Sequence, residues 1–157
     1  MPRRTPLRPL AWALVLVPVA LASGCRPAAR TGPVRVAEPP GTSLATAASC
    51  TLFLRQLPGQ LGNGVRRRPV TGDGQRTAAW GDPPVTLQCG TSPPDPFAEP
   101  LVVDGVGWVV THVAGAQLWT SKGRLIGVAV RVPDAYTSQA EQMTPLSDVI
   151  ARTVPAR

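Results

Sequence analysis

Histidine, lysine and tyrosine each occur once in 157 residues, beside seven aromatic side chains and three cysteines in all. A single histidine excludes histidine-rich metal centres, which need three or four clustered nitrogen, sulfur or carboxylate ligands. Scattered aromatics with no basic stripe beside them exclude the stacking-and-phosphate design of a nucleic-acid binder. Charged residues are 16% of the chain, against about 25% in ordinary domains. No apolar run reaches the ~20 residues of a spanning helix. Long unbroken helices are excluded by punctuation: 19 prolines and 15 glycines disfavour coiled coils and helical solenoids.

What is present begins with a basic, apolar start. Arg3, Arg4 and Arg8 precede the run Leu10–Ala22, which is interrupted only by Pro18. This is the pattern of an export signal over residues 1–24. Leu21-Ala22-Ser23-Gly24-Cys25 resembles a bacterial lipobox, in which small residues enter the protease site and the cysteine thiol takes the diacylglyceryl group. Cys25 is therefore the expected lipidation site, and the expected location is the outer face of the cell membrane. The alternative is an ordinary signal cut behind Ala20-Leu21-Ala22, which would secrete the protein. Arg3-Arg4-Thr5-Pro6-Leu7-Arg8 also carries a faint twin-arginine pattern, so the export route stays open between the two. Residues 26–42 hold Pro27, Pro33, Pro39 and Pro40 without apolar periodicity. They are expected to be a disordered tether, because such a segment buries too little to offset its ordering entropy.

The remainder, residues 43–157, has room for one domain with its own core. Ala47, Cys50, Leu54, Leu57 and Leu61 recur at helical spacing behind a possible Thr42 or Ser43 cap. Val85, Leu87 and Cys89 alternate with Thr86, Gln88 and Gly90, as a strand with one apolar face does. Cys50 and Cys89 thus both face a core, and outside the cytoplasm an even pair is expected to form a disulfide. Further strands are expected over Gly105–Val113, Ala116–Thr120 and Arg124–Val132. In the last, Ile126, Val128, Val130 and Val132 form an apolar face, and the smaller opposite face leaves room for a helix. Thr144 and Pro145 read as the cap and first residue of a final helix carrying Leu146, Val149, Ile150 and Val154. The sum is an α+β domain: a small antiparallel sheet with helices from both ends of the domain packed on it, and one disulfide.

Several blocks of this domain resemble the domain of unknown function 3515 family. They are Cys50 with Leu57-Pro58, Arg66-Arg67, and above all Ala79-Trp80-Gly81-Asp82-Pro83-Pro84-Val85-Thr86-Leu87-Gln88-Cys89-Gly90. Val103-Asp104-Gly105-Val106-Gly107-Trp108, Trp119-Thr120 and Val130–Tyr136 agree as well, so the likeness covers roughly residues 45–155. The resemblance implies an exported, actinobacterial, often lipobox-bearing protein of the cell envelope. It implies no activity and no catalytic residues.

The chemistry-bearing residues are few. No G-x-S-x-G and no phosphate-cradling glycine loop occurs. His112 shares a strand face with Trp108 and Val110, where a packed or rim residue is expected rather than a base. A hydrolase would have to use Asp82, Asp104 or His112, with two carboxylates ~5–9 Å apart in the glycosidase case. Trp80, Trp108, Trp119 and Tyr136 read as core, with an exposed sugar or peptide platform as the alternative. Arg66, Arg67 and Arg68 form a basic run that is expected to be exposed and to contact anionic envelope material. The expected function is a lipid-anchored, non-catalytic envelope module that binds a protein or wall component such as an anionic polymer. The alternative is an envelope hydrolase. No cofactor, metal or nucleic-acid partner is expected.

Overall fold

Val85, Leu87 and Cys89, alternating in the sequence, lie near the middle of a seven-stranded sheet. The protein is described from a computed structural model, covering residues 32–41, 43–72 and 74–157. The signal segment 1–24, Cys25 and the first part of the expected tether lie outside the described residues, as do Thr42 and Asp73.

The strands are β1 (Val34–Arg35), β2 (Arg67–Arg68), β3 (Val70–Thr71), β4 (Thr77–Trp80), β5 (Val85–Thr91), β6 (Leu101–Val103), β7 (Val106–Val113), β8 (Ala116–Lys122) and β9 (Gly127–Pro133). The helices are α1 (Leu44–Arg55) and α2 (Gln139–Thr153). The main sheet runs β2-β4-β5-β9-β8-β7-β6 and is antiparallel throughout. β1 and β3 form a separate parallel pair. This is the α+β architecture expected.

Register explains the core. Ala78, Leu87, Val130, Trp119 and Val110 are successive cross-strand neighbours, so one row of apolar side chains crosses the sheet on its front face. Both helices pack there. α1 contributes Cys50, Phe53 and Leu54, while α2 contributes Met143, Leu146, Val149 and Ile150. The face read from Ala47, Cys50 and Leu54 leaves out Phe53, which is only 1% exposed. Ser43 caps α1, its Oγ accepting from the Thr46 N–H at 3.1 Å. The Cys50–Cys89 disulfide joins α1 to β5 on this face, with Cα atoms 5.7 Å apart.

Three expectations change. The final helix starts at Gln139 rather than at Pro145, and Pro145 lies inside it. Proline lacks the N–H that would bond the carbonyl four residues back, here that of Glu141. The helix continues because Gln142 and Met143 before the proline and Leu146 and Ser147 after it are all buried. Gly62, in a short turn over Gly62–Gly64, packs directly against the Glu141 carbonyl, where a Cβ would come within 2.5 Å of the oxygen. Gly62→Ala is therefore expected to lower the unfolding free energy by about 1–3 kcal/mol, read as a lower urea midpoint. An unchanged midpoint would mean that the turn moves aside without cost.

The second change concerns the small-residue face of β9. Among the described residues no helix lies on it. An extended strap, residues 34–40, crosses this back face instead. Val34 and Val36 pack with Ala79 and Val70. The strap is part of the third change too, because residues 32–41 were expected to be tether and are built into the domain. Their backbone is held from the side: Gln88 Nε2 donates to Ala37 O at 2.6 Å, and Arg76 Nη2 to Pro39 O at 2.8 Å. Val34 N–H donates to Pro69 O, and Arg76 lies 3.4 Å from the Glu38 carboxylate.

Candidate functional site

The candidate catalytic residues are set by turns and strand ends. Asp104 and Gly105 form a two-residue hairpin turn between Val103 and Val106, both with positive φ (44° and 74°). Such a turn favours Asp-Gly for conformational reasons, so Asp104 is explained by geometry alone. That same Asp-Gly pair is the sequence signal for the short edge strand β6, which lies outside the strands expected above. Asp82 sits in the turn between β4 and β5, in a cis Asp82–Pro83 peptide. It lies at the opposite end of the sheet from Asp104. At ~3.3 Å per residue, seven-residue strands put the two ends roughly 20 Å apart. His112 is at the same end as Asp82, exposed on the rim of β7. Three strand spacings separate β5 from β7, or about 14 Å. Asp82, Asp104 and His112 therefore do not converge on a common reacting atom. Among the described residues no group of three metal-ligating side chains occurs.

Trp80, Trp108, Trp119 and Tyr136 are spent on packing, whereas Phe97 is exposed. Trp80 and Trp108 are fully buried and Trp119 nearly so. Trp80 Nε1 donates to Pro58 O at 3.0 Å and Trp108 Nε1 to Ser147 Oγ at 2.9 Å. Tyr136 Oη donates to Pro83 O at 2.7 Å, and burial first, then the Asp82 carboxylate, raises its pKa. Gly81 makes this contact possible. It has φ 70°, and a Cβ there would lie 2.2 Å from the Tyr136 hydroxyl.

The run Arg66-Arg67-Arg68 is divided between the two faces of the sheet edge. Neighbouring residues on a strand face opposite ways, and β2 pairs Arg67 with Trp80 and Arg68 with Ala79. Arg67 goes to the front, its guanidinium 5.6 Å from the Trp80 ring centre and donating to Leu57 O. Partial burial lowers its pKa. Arg68 goes to the back, where its side chain is only 12% exposed. It donates to Gly32 O and Gly81 O and lies 3.9 Å from Asp82. Arg66 and Arg67 are exposed, and Arg68 is half-buried. Arg67 and Arg68 thus also tie the helix end and the strap to the sheet edge.

Among the concave regions of the described residues, two border the main sheet away from the helices. One lies between the strap and the back of the sheet, bordered by Arg35, Val36, Pro84, Gln88, Leu118 and Arg131. The other, of about 350 Å³, lies at the far end of the sheet from Gly81. It is bordered by Thr91, the prolines that follow it, Lys122, Arg124 and Leu125. In the sequence Arg124 only opens a strand, and Ser121-Lys122 resembles a Ser–Lys pair only by adjacency. Ser121-Lys122-Gly123 reads there as hairpin polarity, because the proline loop that approaches it is distant in sequence.

Neither a curated protein nor a solved structure matches the chain. A family model matches residues 9–157, spanning the Trp80–Gly90 block, the disulfide and both helices. The chain belongs to the family described as Protein of unknown function (DUF3515).

Proposed function

We propose that the protein is a lipid-anchored, non-catalytic module of the cell envelope that binds a protein or a wall component. The observation that carries this reading is the buried disulfide Cys50–Cys89, which suits a compartment outside the reducing cytoplasm. It accords with the lipobox-like residues 21–25. A non-catalytic role is supported by the separation of Asp82, Asp104 and His112 across the sheet, and no observation favours a hydrolase built on them.

Lipid attachment at Cys25 would hold the domain closely. Eight residues separate Cys25 from Val34, fewer than in a tether reaching residue 42. Stable anchoring needs more than one acyl chain, which diacylglyceryl transfer to the thiol provides. Cys25→Ala is expected to move the protein from the membrane fraction into the medium, or to leave an unprocessed precursor. The wild type should incorporate labelled fatty acid that the variant does not. Identical fractionation of the two would overturn the anchor.

A further inference from the structure

The two ends of the sheet carry different chemistry. The described chain enters at the Gly81 end, where Arg68 holds Gly32 O and Pro69 O accepts from Val34 N–H. The pocket beside Lys122 opens at the other end, roughly 20 Å away along β5. A domain anchored through its N-terminal segment would present this pocket away from the membrane.

Pro93, Pro94, Pro96 and Leu125 give the pocket apolar walls. Its cations are held by neutral acceptors. Lys122 Nζ donates to Pro96 O at 2.8 Å and to Ala98 O at 2.6 Å. Arg124 donates to Val154 O at 3.0 Å and to Gly105 O at 3.1 Å. The ion pairs among the described residues involve Arg68, Arg76 and Arg152, not these two. The nearby Asp95 carboxylate is turned to the Phe97 N–H instead. Carbonyl oxygens fix the position of a cation without cancelling its charge. Thr91 adds a buried hydroxyl with no hydrogen-bond partner among the described residues. Lys122 and Arg124, prepositioned by carbonyls, together with Arg157, which also borders the pocket, set cationic groups beside apolar walls and favour an oxyanion on a small apolar body. Charge-assisted hydrogen bonds are about twice as strong as neutral ones, and ~350 Å³ is at the small end of ligand sites.

We propose that this pocket binds a small organic oxyanion, a carboxylate or phosphate carried on a short apolar group. The proposal deepens the binding reading above and rests on it. The two fail separately, because fractionation reads the anchor and ligand titration reads the pocket.

The test is NMR titration of the full chain in non-ionic detergent with N-acetyl-L-valine, its neutral amide, and butyl phosphate, followed at the Gly123 and Gly127 amides. At least one anion should bind saturably, about tenfold or more tighter than the amide, and the tighter of the two anions identifies the source chemistry. Lys122→Gln should weaken that anion by about tenfold. Because Lys122 also holds the proline loop, Leu125→Glu provides a second variant. This side chain is 55% exposed, so the substitution leaves the core untouched and sets a like charge at the rim, with a comparable loss expected. Equal binding of acetylvaline, its amide and butyl phosphate would overturn the proposal. So would undiminished anion binding in folded Leu125→Glu protein.

Discussion

Replacing Cys50 and Cys89 together by alanine is expected to lower the unfolding free energy by about 4 kcal/mol. The bridge closes a loop with a sequence separation of 39, and constraint of the unfolded chain scales with the logarithm of loop length. Both sulfurs are fully buried between α1 and β5, so the variant also loses packing on the front face. For a domain of this size the midpoint of thermal unfolding should fall by on the order of 15 °C. Reductant should reproduce the shift in the wild type and leave the double variant unchanged. A wild-type midpoint insensitive to reductant under conditions that release free thiols would refute the stabilising role. The bridge secures the N-terminal helix to a central strand, while the strap reaches the same strand from behind through Gln88.

Trp80→Ala should cost about 3–5 kcal/mol, the range for removing a large buried aromatic. Trp80 is fully buried at the end of β4. Its indole N–H bonds Pro58 O, just past α1, and its ring underlies the Arg67 guanidinium. The substitution leaves a cavity, an unpaired carbonyl and an arginine without its platform. Arg67→Ala leaves the ring in place, removes the cation–ring contact and the hydrogen bond to Leu57 O, and should cost about 1–2 kcal/mol. Urea unfolding of the two variants separates the contributions. A Trp80→Ala loss no larger than that of Arg67→Ala would show that the cavity collapses and that the ring contributes little.

The fold was legible where side-chain periodicity records it. The alternation around Cys89, the valine-rich β7 and β9, and the helical spacing around Cys50 each stand in the sequence, and the disulfide followed from two of them. The strap was illegible for a physical reason. It docks mainly through backbone carbonyls at Gly32, Ala37 and Pro39, which accept from Arg68, Gln88 and Arg76. Carbonyls are common to every residue, and the Val34 and Val36 side chains that pack beneath the strap give too short an alternation to stand out among its prolines. The early start of α2 was hidden because Pro145 is a stronger local signal than the tertiary contacts that override it. The pocket at Lys122 joins a hairpin, a proline loop and the end of β9, and no local pattern links these. Asp82 and Asp104, conversely, stood out as carboxylates, and proved to be turn residues at opposite ends of the sheet.

The strap also determines how the domain carries load. A pull on the chain ahead of Gly32 would enter through the short parallel pair β1–β3 and the side chains that grip the strap, before any strand of the main sheet is engaged. Peeling would then proceed along residues 32–50 until it reached the Cys50–Cys89 crosslink, a slack of roughly 60 Å at full extension. Beyond that point the tension would pass straight to β5, bypassing the loops between the two cysteines. The back-face strap would therefore act as a yielding element in series with a stiff, covalently closed body.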